Sequence, residues 1–502
     1  MNDPRSGEPG SGAVGRAAAR GVAWTFAATA ASRLLWIAAL AVLARLLAPR
    51  DFGLLASALV FLTYAETVAD LGTGAALIYW PERREEAAEV TFRIHVAMGV
   101  LGFALAQLLA PFVADFFGNP ASAPVLRALA WSFPLKYLGT THDALAQKDL
   151  RFRARLVPEV GLAATKALVA VGLAWAGLGV WALVWGQLAG QAVWTLLLWL
   201  VVPWRPSRRW PRGLVRPMVA YGRGIVAVNA LAAVTHHADL VIVGRTLGTA
   251  TLGFYQMAAK VPETTVTVLG WVVSRVLFPA FSKLHAAGEA MGEAYLAALR
   301  WVSLLTVPAT VGVALTARPL VLNLFGEPWL PAVPILQAIA VYAGLRSLGT
   351  HAGDVLKATG RSGLLAGLGV LKAALLVPAL VLASRHGAAA VAAALAGVTA
   401  ATLLLNWGVI CRLAPLRPRA LLAALRPSLL AGAALAAFLL VWERLVLRPD
   451  ALVAWLGAVA LGGAIYLLAL RLVAPETWEA GRRALGGGRA ARLAEPGWEA
   501  RG

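Results

Sequence analysis

The sequence predicts an all-α polytopic membrane protein, and three observations lead to this fold class. Of the 502 residues, 60% are hydrophobic and only 14% are charged, whereas a typical soluble domain has about 25% charged residues. The mean hydropathy is +0.72. The apolar residues form about 14 blocks of roughly 20 residues, the length needed to cross a hydrocarbon layer of about 30 Å.

Arginine and lysine are concentrated at one set of span ends, and this bias predicts the orientation of the chain. The basic ends carry Arg16, Arg20, Arg83, Arg84, Lys148, Arg151, Arg205, Arg208, Arg209, Arg412 and Arg417. The opposite loops carry mostly one arginine each, such as Arg50 and Arg385. Because basic residues are retained in the cytoplasm, we expect both termini to be cytoplasmic. The net charge of +20 then reflects topology and does not call for a nucleic acid partner.

A ten-residue motif occurs twice, as "PFVADFFGNP" at 111–120 and "PLVLNLFGEP" at 319–328. The two copies follow the predicted third and ninth spans. A second repeated motif contains Arg45 and Gly53 in its first copy and Arg245 and Gly253 at the equivalent positions of its second copy. Six spans separate the copies, so we expect two parallel six-helix lobes, an arrangement typical of transporters. The alternative is a repeat kept only for packing.

The spans and loops together predict the domain organisation. The segments are a cytoplasmic tail at 1–20, an N-lobe of spans 1–6 at 21–204, a basic cytoplasmic linker at 205–215, a C-lobe of spans 7–12 at 216–413, two further spans at 427–472 and a disordered cytoplasmic tail at 473–502. No cleavage site follows the first apolar block, so we expect that helix to be retained. Cys411 is the single cysteine, which excludes an intrachain disulfide.

Ionisable residues inside the predicted spans are the candidate functional residues, because each costs about 2.5–3.5 kcal/mol at the bilayer centre. The cationic candidates are Arg33, Lys136, Arg223, Arg275 and Arg346. Lys136 and Arg346 occupy corresponding spans and have no acidic neighbour at helical spacing, so they predict a cationic cavity. Such a cavity favours an anionic substrate, and a lipid-linked pyrophosphate fits this requirement.

The acidic candidates for ion or proton coupling are Glu66, Asp70 and Asp239, the last within "THHAD". Structural alternatives remain open for several of these residues. One alternative is that Arg33 and Glu66 form a structural ion pair between adjacent helices. Another is that the side chains of Arg223 and Arg275, near the cytoplasmic span ends, extend to the lipid headgroups. We find no metal-ligand spacing, no phosphate-binding glycine loop and no nucleophile–base pair, so we expect no cofactor, no metal and no enzyme activity.

Several segments in order, including "LARLLAPRDFGLLASALVF", "QKDLRFRARL", "GLGVWALVWGQLAG" and "LFGEPWLPAVPILQ", resemble the polysaccharide transporter family. These are the Wzx-type flippases of the multidrug/oligosaccharidyl-lipid/polysaccharide (MOP) superfamily, and the resemblance covers residues 15–415. It implies a MATE-like fold and export of an undecaprenyl-diphosphate-linked glycan by alternating access, for O-antigen, capsule or exopolysaccharide. It also implies that Arg33, Arg275 and Arg346 are cationic residues that face between the lobes.

The partners expected from this resemblance are a lipid-linked oligosaccharide and the bacterial inner membrane, with a polysaccharide polymerase and a chain-length regulator as candidate protein partners. A MATE-type multidrug or organic-cation antiporter is the main alternative, but its cavity should be mainly acidic. A membrane polymerase or ligase is the third reading. Such enzymes commonly need a large outward loop, whereas the loops at 115–123 and 317–331 are short and apolar.

Overall fold

The computed structural model describes residues 35–69, 71–79, 83–149, 151–207, 211–267, 281, 291–414, 416–448, 450–476 and 478–479. These residues are almost entirely helical. The α-helices are α1 (Leu35–Leu46), α2 (Pro49–Ala69), α3 (Thr73–Tyr79), α4 (Arg84–Phe116), α5 (Ser122–Leu129), α6 (Ser132–Lys148), α7 (Phe152–Trp175), α8 (Val180–Val201), α9 (Val215–Pro262), α10 (Met291–Leu315), α11 (Ala317–Leu324), α12 (Val333–Ala358), α13 (Ser362–Ser384), α14 (Ala388–Leu413), α15 (Pro418–Leu445) and α16 (Leu452–Val473). The shorter helical segments are two 3₁₀ helices, Arg212–Leu214 and Glu327–Ala332, and a π-helix, Glu263–Thr267.

Nine helices in the described ranges are long and apolar enough to cross a membrane, and ten if the pair Val215–Gly224 and Val228–Thr267, bent by 41°, counts as one span. Within α9 the backbone is not helical at Gly248, so Val215–Pro262 consists of two helices that meet at a kink. The prediction of an all-α polytopic protein is therefore confirmed, while the number of 14 spans is not established. The predicted first and eighth spans, 21–46 and 252–278, lie partly outside the described residues.

Two predicted spans are each divided into two helices. The predicted second span, 53–78, is divided between α2 and α3 because Leu71 and Gly72 both have positive φ angles. The predicted fourth span, 124–146, is divided between α5 and α6. Pro134 lies in the first turn of α6, where its missing N–H is tolerated, so the helix begins again at Ser132.

Helices α7 and α8 form a closely packed antiparallel pair through two small residues. A Cβ atom at Gly186 or at Gly190 would lie 2.9 Å from a backbone oxygen of α7, that of Lys166 or Leu162 respectively. Glycines four residues apart on one helix face let two membrane helices approach this closely. The contact fixes the rotation of α8 about its axis, and therefore the direction in which its other faces point.

A hydrophobic core lies where α2, α4, α5, α6 and α8 meet. Phe133 is fully buried there with Leu126 and Leu129, and Val184 of α8 and Leu62 of α2 pack into the same cluster. The large side chains on α5 and α6 face small ones on α4, where Ala106 and Ala110 are completely buried. This packing holds the inner faces of α2, α6 and α8 next to one another.

The two repeated motifs contact the end of α1 and the part of α9 just before its kink at Gly248. The Arg245 guanidinium donates to the carbonyl oxygen of Phe116 at 2.9 Å, and Arg45 makes a longer contact of 3.5 Å with the carbonyl oxygen of Leu324. Arg45 and Arg245 are equivalent in the repeat, and so are the two loops. Each of the two arginines thus contacts the repeated loop of the other copy.

The repeated glycines meet at the same place. A Cβ at Gly53 would lie 1.7 Å from the carbonyl oxygen of Thr249, and one at Gly253 would lie 2.0 Å from that of Pro49. The side-chain amide of Asn119, in the first copy of the ten-residue motif, donates a hydrogen bond of 2.9 Å to the hydroxyl of Thr249. We call this set of contacts among 44–53, 116–119, 244–253 and 324–329 the loop clasp.

The chain divides into two compact units, and the loop clasp belongs to the first. Of the described residues, those within Met1–Met257, Leu324–Ala332 and Gly369–Val391 form unit one, and those within Ala258–Asn323, Val333–Leu368 and Ala392–Gly502 form unit two. Unit one thus takes most of α9 in addition to the first six predicted spans. The lobe boundaries at 21–204 and 216–413 stay a prediction.

Unit two has its own core, built on α10, α12, α14 and α15. Tyr295, Leu299 and Val355 are buried there. The last two helices are joined to α10 by polar contacts, since the Tyr466 hydroxyl donates to the carbonyl oxygen of Leu304 at 2.9 Å and Ser428 donates to Ser303 at 2.9 Å. The appended pair α15–α16 is therefore an integral part of this unit.

Candidate functional site

Two of the predicted site residues form an ion pair. The ammonium of Lys136 on α6 lies 2.6 Å from a carboxylate oxygen of Glu66 on α2. The sequence suggested Arg33 as the partner of Glu66 and gave Lys136 none, because helical spacing reveals only partners within one helix. The pair is possible because the core around Phe133 brings α2 and α6 into contact.

The ion pair lines a polar cavity of about 210 Å³ within unit one. Its described lining comes from three helices: Leu59, Leu62, Thr63 and Glu66 of α2, Ser132 and Lys136 of α6, and Gln187 and Gln191 of α8. We call it the first-unit cavity. The side chain of Lys136 is 36% exposed and that of Glu66 is 28% exposed, so both remain accessible at the cavity wall.

The glutamines reach the cavity because of the glycines beside them. Gly186 and Gly190 face α7, and Gln187 and Gln191 each follow one of them, four residues apart. Residues at this spacing lie on one face of a helix, and here that face lines the cavity. Each side-chain amide offers two N–H donors and an acceptor oxygen.

The hydroxyl groups of the cavity differ in their hydrogen bonding. Thr63 donates to the carbonyl oxygen of Leu59 at 2.8 Å, which leaves its oxygen as an acceptor. Ser132 is 5% exposed, and its hydroxyl has no hydrogen-bond partner among the described residues. A buried polar group without a partner is costly, so this hydroxyl indicates a place where a ligand or water completes the bonding.

Asp239 on α9 belongs to a second polar group in unit one. Its carboxylate accepts a hydrogen bond of 2.9 Å from the hydroxyl of Tyr255, and its other oxygen accepts from the backbone N–H of Leu240, also at 2.9 Å. The ring of His237 lies edge-on to Tyr64 of α2, with 6.4 Å between centroids. The "THHAD" sequence therefore places its aspartate and one histidine against tyrosines.

The remaining described candidates are arginines on other helices. Arg346 is half-buried on α12 in unit two, and the described residues form no ion pair with it. Arg223 is exposed on α9 near its start. Lys260 and Glu263, three residues apart in the chain, form an ion pair of 2.9 Å.

Three predicted site residues, Arg33, Asp70 and Arg275, lie outside the described residues. The sequence reasoning missed Ser132, Gln187 and Gln191, because it considered only charged residues in spans. A usable signal existed in "GQLAGQ", where two amides recur with the spacing of two glycines. Polar side chains at a fixed distance from a helix-packing glycine pair share a common face.

The geometry suits recognition of a polar group within a membrane. An ion pair, two amides and two hydroxyls converge on one cavity, and nearby leucines supply an apolar wall. Within the described residues no cluster of metal-binding side chains is found. The arrangement can bind and orient a polar ligand by hydrogen bonds.

Comparison with known proteins identifies relatives in bacterial polysaccharide synthesis. The chain is 28% identical over 377 residues to the lipopolysaccharide biosynthesis protein WzxC of Escherichia coli K12, covering 74% of this chain and 75% of that protein. It is 26% identical to the teichuronic acid biosynthesis protein TuaB of Bacillus subtilis, covering 68% and 72%. It is 25% identical to the succinoglycan biosynthesis transport protein ExoT of Rhizobium meliloti, covering 65% and 66%.

Solved structures agree on the fold. The lipid II flippase MurJ, in an inward closed conformation, matches with a TM-score of 0.71 at 12% identity, covering 92% of this chain and all of that one. An inward-facing MATE multidrug transporter of the MOP superfamily matches with a TM-score of 0.63 at 13% identity, covering 75% and 94%. The profile of the polysaccharide biosynthesis protein family matches residues 42–334. Since this match spans more than half of the chain, the protein belongs to the polysaccharide biosynthesis protein family.

Proposed function

We propose that this protein is a flippase that moves a polyprenyl-diphosphate-linked glycan from the cytoplasmic to the outer leaflet of the bacterial inner membrane, by alternating access. The family match over residues 42–334 carries the proposal. The relatives are named for three different polymers, namely lipopolysaccharide, teichuronic acid and succinoglycan. A lipid-linked intermediate is a substrate that assembly of such different polymers can share.

The physical task of such a protein is to carry a polar head through hydrocarbon. Sugar hydroxyls and a charged diphosphate are costly to desolvate without compensating hydrogen bonds. A helix bundle with polar cavities supplies those bonds inside the membrane, while the apolar tail stays in the lipid. The described part of the chain has both features, in its apolar spans and in the first-unit cavity.

The diphosphate is assigned to arginines. We propose that Arg346, Arg33 and Arg275 are the residues that bind the diphosphate during transport, with Arg223 as a further candidate near the cytoplasmic side. A guanidinium forms two parallel hydrogen bonds to a phosphate, which favours arginine over lysine for this role.

Acidic residues are assigned to energy coupling. Asp239 is the best-supported candidate, because the Tyr255 hydroxyl holds its carboxylate in a fixed position within unit one. Asp70 is a further candidate, while Glu66 is engaged by Lys136. An inside-negative potential also favours outward movement of a negative head, by about 2.3 kcal/mol per charge per 100 mV.

The proposal includes transport without catalysis, cytoplasmic termini, and cooperation with a polysaccharide polymerase and a chain-length regulator. A MATE-type antiporter shares the fold, but the likeness to MATE structures at 13% identity concerns the fold alone. The family match favours the polysaccharide substrate over a drug or an organic cation.

Deletion of the gene in its own bacterium tests the proposal. We expect loss of one surface polysaccharide and accumulation of its lipid-linked precursor on the cytoplasmic leaflet, both reversed by a plasmid-borne copy. An unchanged set of surface polysaccharides, together with an unchanged precursor pool, would overturn it.

A further inference from the structure

We infer that the first-unit cavity is a subsite for an uncharged, hydroxyl-bearing sugar residue of the glycan, and that it does not hold the diphosphate. This inference rests on the proposed function and assigns part of the substrate to a particular place. It also revises the role that the sequence suggested for Lys136.

Charge balance is the first reason. The Lys136 ammonium lies 2.6 Å from the Glu66 carboxylate, so its charge is already compensated. A diphosphate placed against Lys136 would also lie against that carboxylate, and two like charges at such close range repel each other. The charged groups among the described lining residues sum to zero, which suits a neutral ligand.

Hydrogen-bonding capacity is the second reason. Sugar hydroxyls both donate and accept, and the cavity offers groups of both kinds. Glu66 accepts, Lys136 donates, and the amides of Gln187 and Gln191 do both. The buried Ser132 hydroxyl has no partner among the described residues and lines this cavity. It is the group whose bonding a bound ligand would complete.

Size and wall composition are the third reason. The cavity volume is about 210 Å³. That space suits a single sugar ring, with the rest of a glycan outside the cavity. Leu59 and Leu62 line one side, next to the polar groups, and a sugar ring likewise has an apolar C–H face beside its hydroxyls.

Binding measurements on the full-length protein in detergent test the assignment. Native mass spectrometry would measure the Kd of two lipids. One is undecaprenyl diphosphate without sugar, and the other is the lipid-linked glycan extracted from the strain that encodes the protein. The variants are Gln191→Leu and, as a less buried second site, Gln187→Leu, which remove an amide at similar size. The matched control is Gln107→Leu, whose glutamine donates to the carbonyl oxygen of Arg127 outside the cavity.

We expect each cavity variant to raise the Kd of the lipid-linked glycan by roughly tenfold, the effect of one lost hydrogen bond. The Kd of undecaprenyl diphosphate should not change, and the control should change neither value. An equal rise for both lipids, or no change for either, would overturn the sugar assignment while leaving the proposed function intact. Failure of the wild-type protein to bind either lipid would overturn the proposed function and this inference with it.

Discussion

Replacement of Gly53 by alanine should force apart the backbones that meet in the loop clasp. The new Cβ would lie 1.7 Å from the carbonyl oxygen of Thr249 and 3.1 Å from the backbone nitrogen of Gly253. Real Cβ contacts essentially never fall under 3.0 Å, so the difference between 3.0 and 1.7 Å requires a separation of at least about 1.3 Å in a close-packed interior. Because the obstacle is a backbone oxygen, no side chain can turn away to relieve it.

The cost can be worked from these contacts. Overpacking of this kind costs about 1–3 kcal/mol, and loss of the hydrogen bond between Asn119 and Thr249 adds about 0.5–1.5 kcal/mol. Gly253→Ala should have a similar cost, because its Cβ would lie 2.0 Å from the carbonyl oxygen of Pro49. One separation relieves both clashes, so the double variant should cost less than the sum of the two single variants.

The first measurement is the midpoint temperature of heat-induced aggregation in detergent. The second is the rate of disulfide formation in membranes. Asn119→Cys with Thr249→Cys, in a Cys411→Ser background, should form a disulfide readily, and Gly53→Ala should slow it. The matched control is Gly172→Ala, since a Cβ there meets nothing within 4 Å and alanine favours a helix interior. A Gly53→Ala protein as stable as the control, or fully additive single variants, would refute the close approach.

Three further predictions concern topology, the ion pair and the driving force. Cysteines at Asn119 and Ser207 should react with an impermeant maleimide from opposite faces, and labelling of both from outside intact cells would contradict the orientation. Lys136→Met should lower membrane abundance, because an unpaired carboxylate at Glu66 costs more than the about 1–3 kcal/mol of an unpaired neutral group. The exchange Lys136→Glu with Glu66→Lys should restore abundance, and failure to do so would show that more than the pair's charges matters. Flux in proteoliposomes should increase with an inside-negative potential, and flux that ignores the potential would exclude this driving force.

Much of the helical pattern could be predicted from the sequence, because a membrane span depends mainly on the length and apolarity of one segment. The breaks that divide a span into two helices were harder to predict from the sequence. Leu71 has a positive φ angle although it is not glycine, and no feature of the local sequence predicts this conformation. Pro134, in contrast, was an available sign that a helix begins at Ser132.

The site was harder to predict because its contacts join separate helices. Lys136 and Glu66 are 70 residues apart in the chain, so spacing within a helix says nothing about their pairing. The glutamines carry no charge and escaped notice for that reason. The repeat was the more informative signal, since it paired Gly53 with Gly253 and the structure brings their backbones together.

Among the described cationic candidates, Arg346 is the one whose charge is best explained by binding of an anionic ligand. The cations at Lys136 and Lys260 are each balanced by a carboxylate, whereas Arg346 is half-buried on α12 and the described residues form no ion pair with it. A cation in such a place costs about 2.5–3.5 kcal/mol on insertion scales.

If that cost is tolerated for substrate binding, Arg346→Met should raise the aggregation midpoint while abolishing glycan export, because stability and function oppose each other at such sites. Arg346→Lys should retain part of the export, since the charge remains and the bidentate geometry is lost. Lys260→Met is the matched control. It removes a balanced cation and should lower the midpoint or leave it unchanged. Normal export by Arg346→Met at wild-type abundance would exclude Arg346 from the diphosphate site.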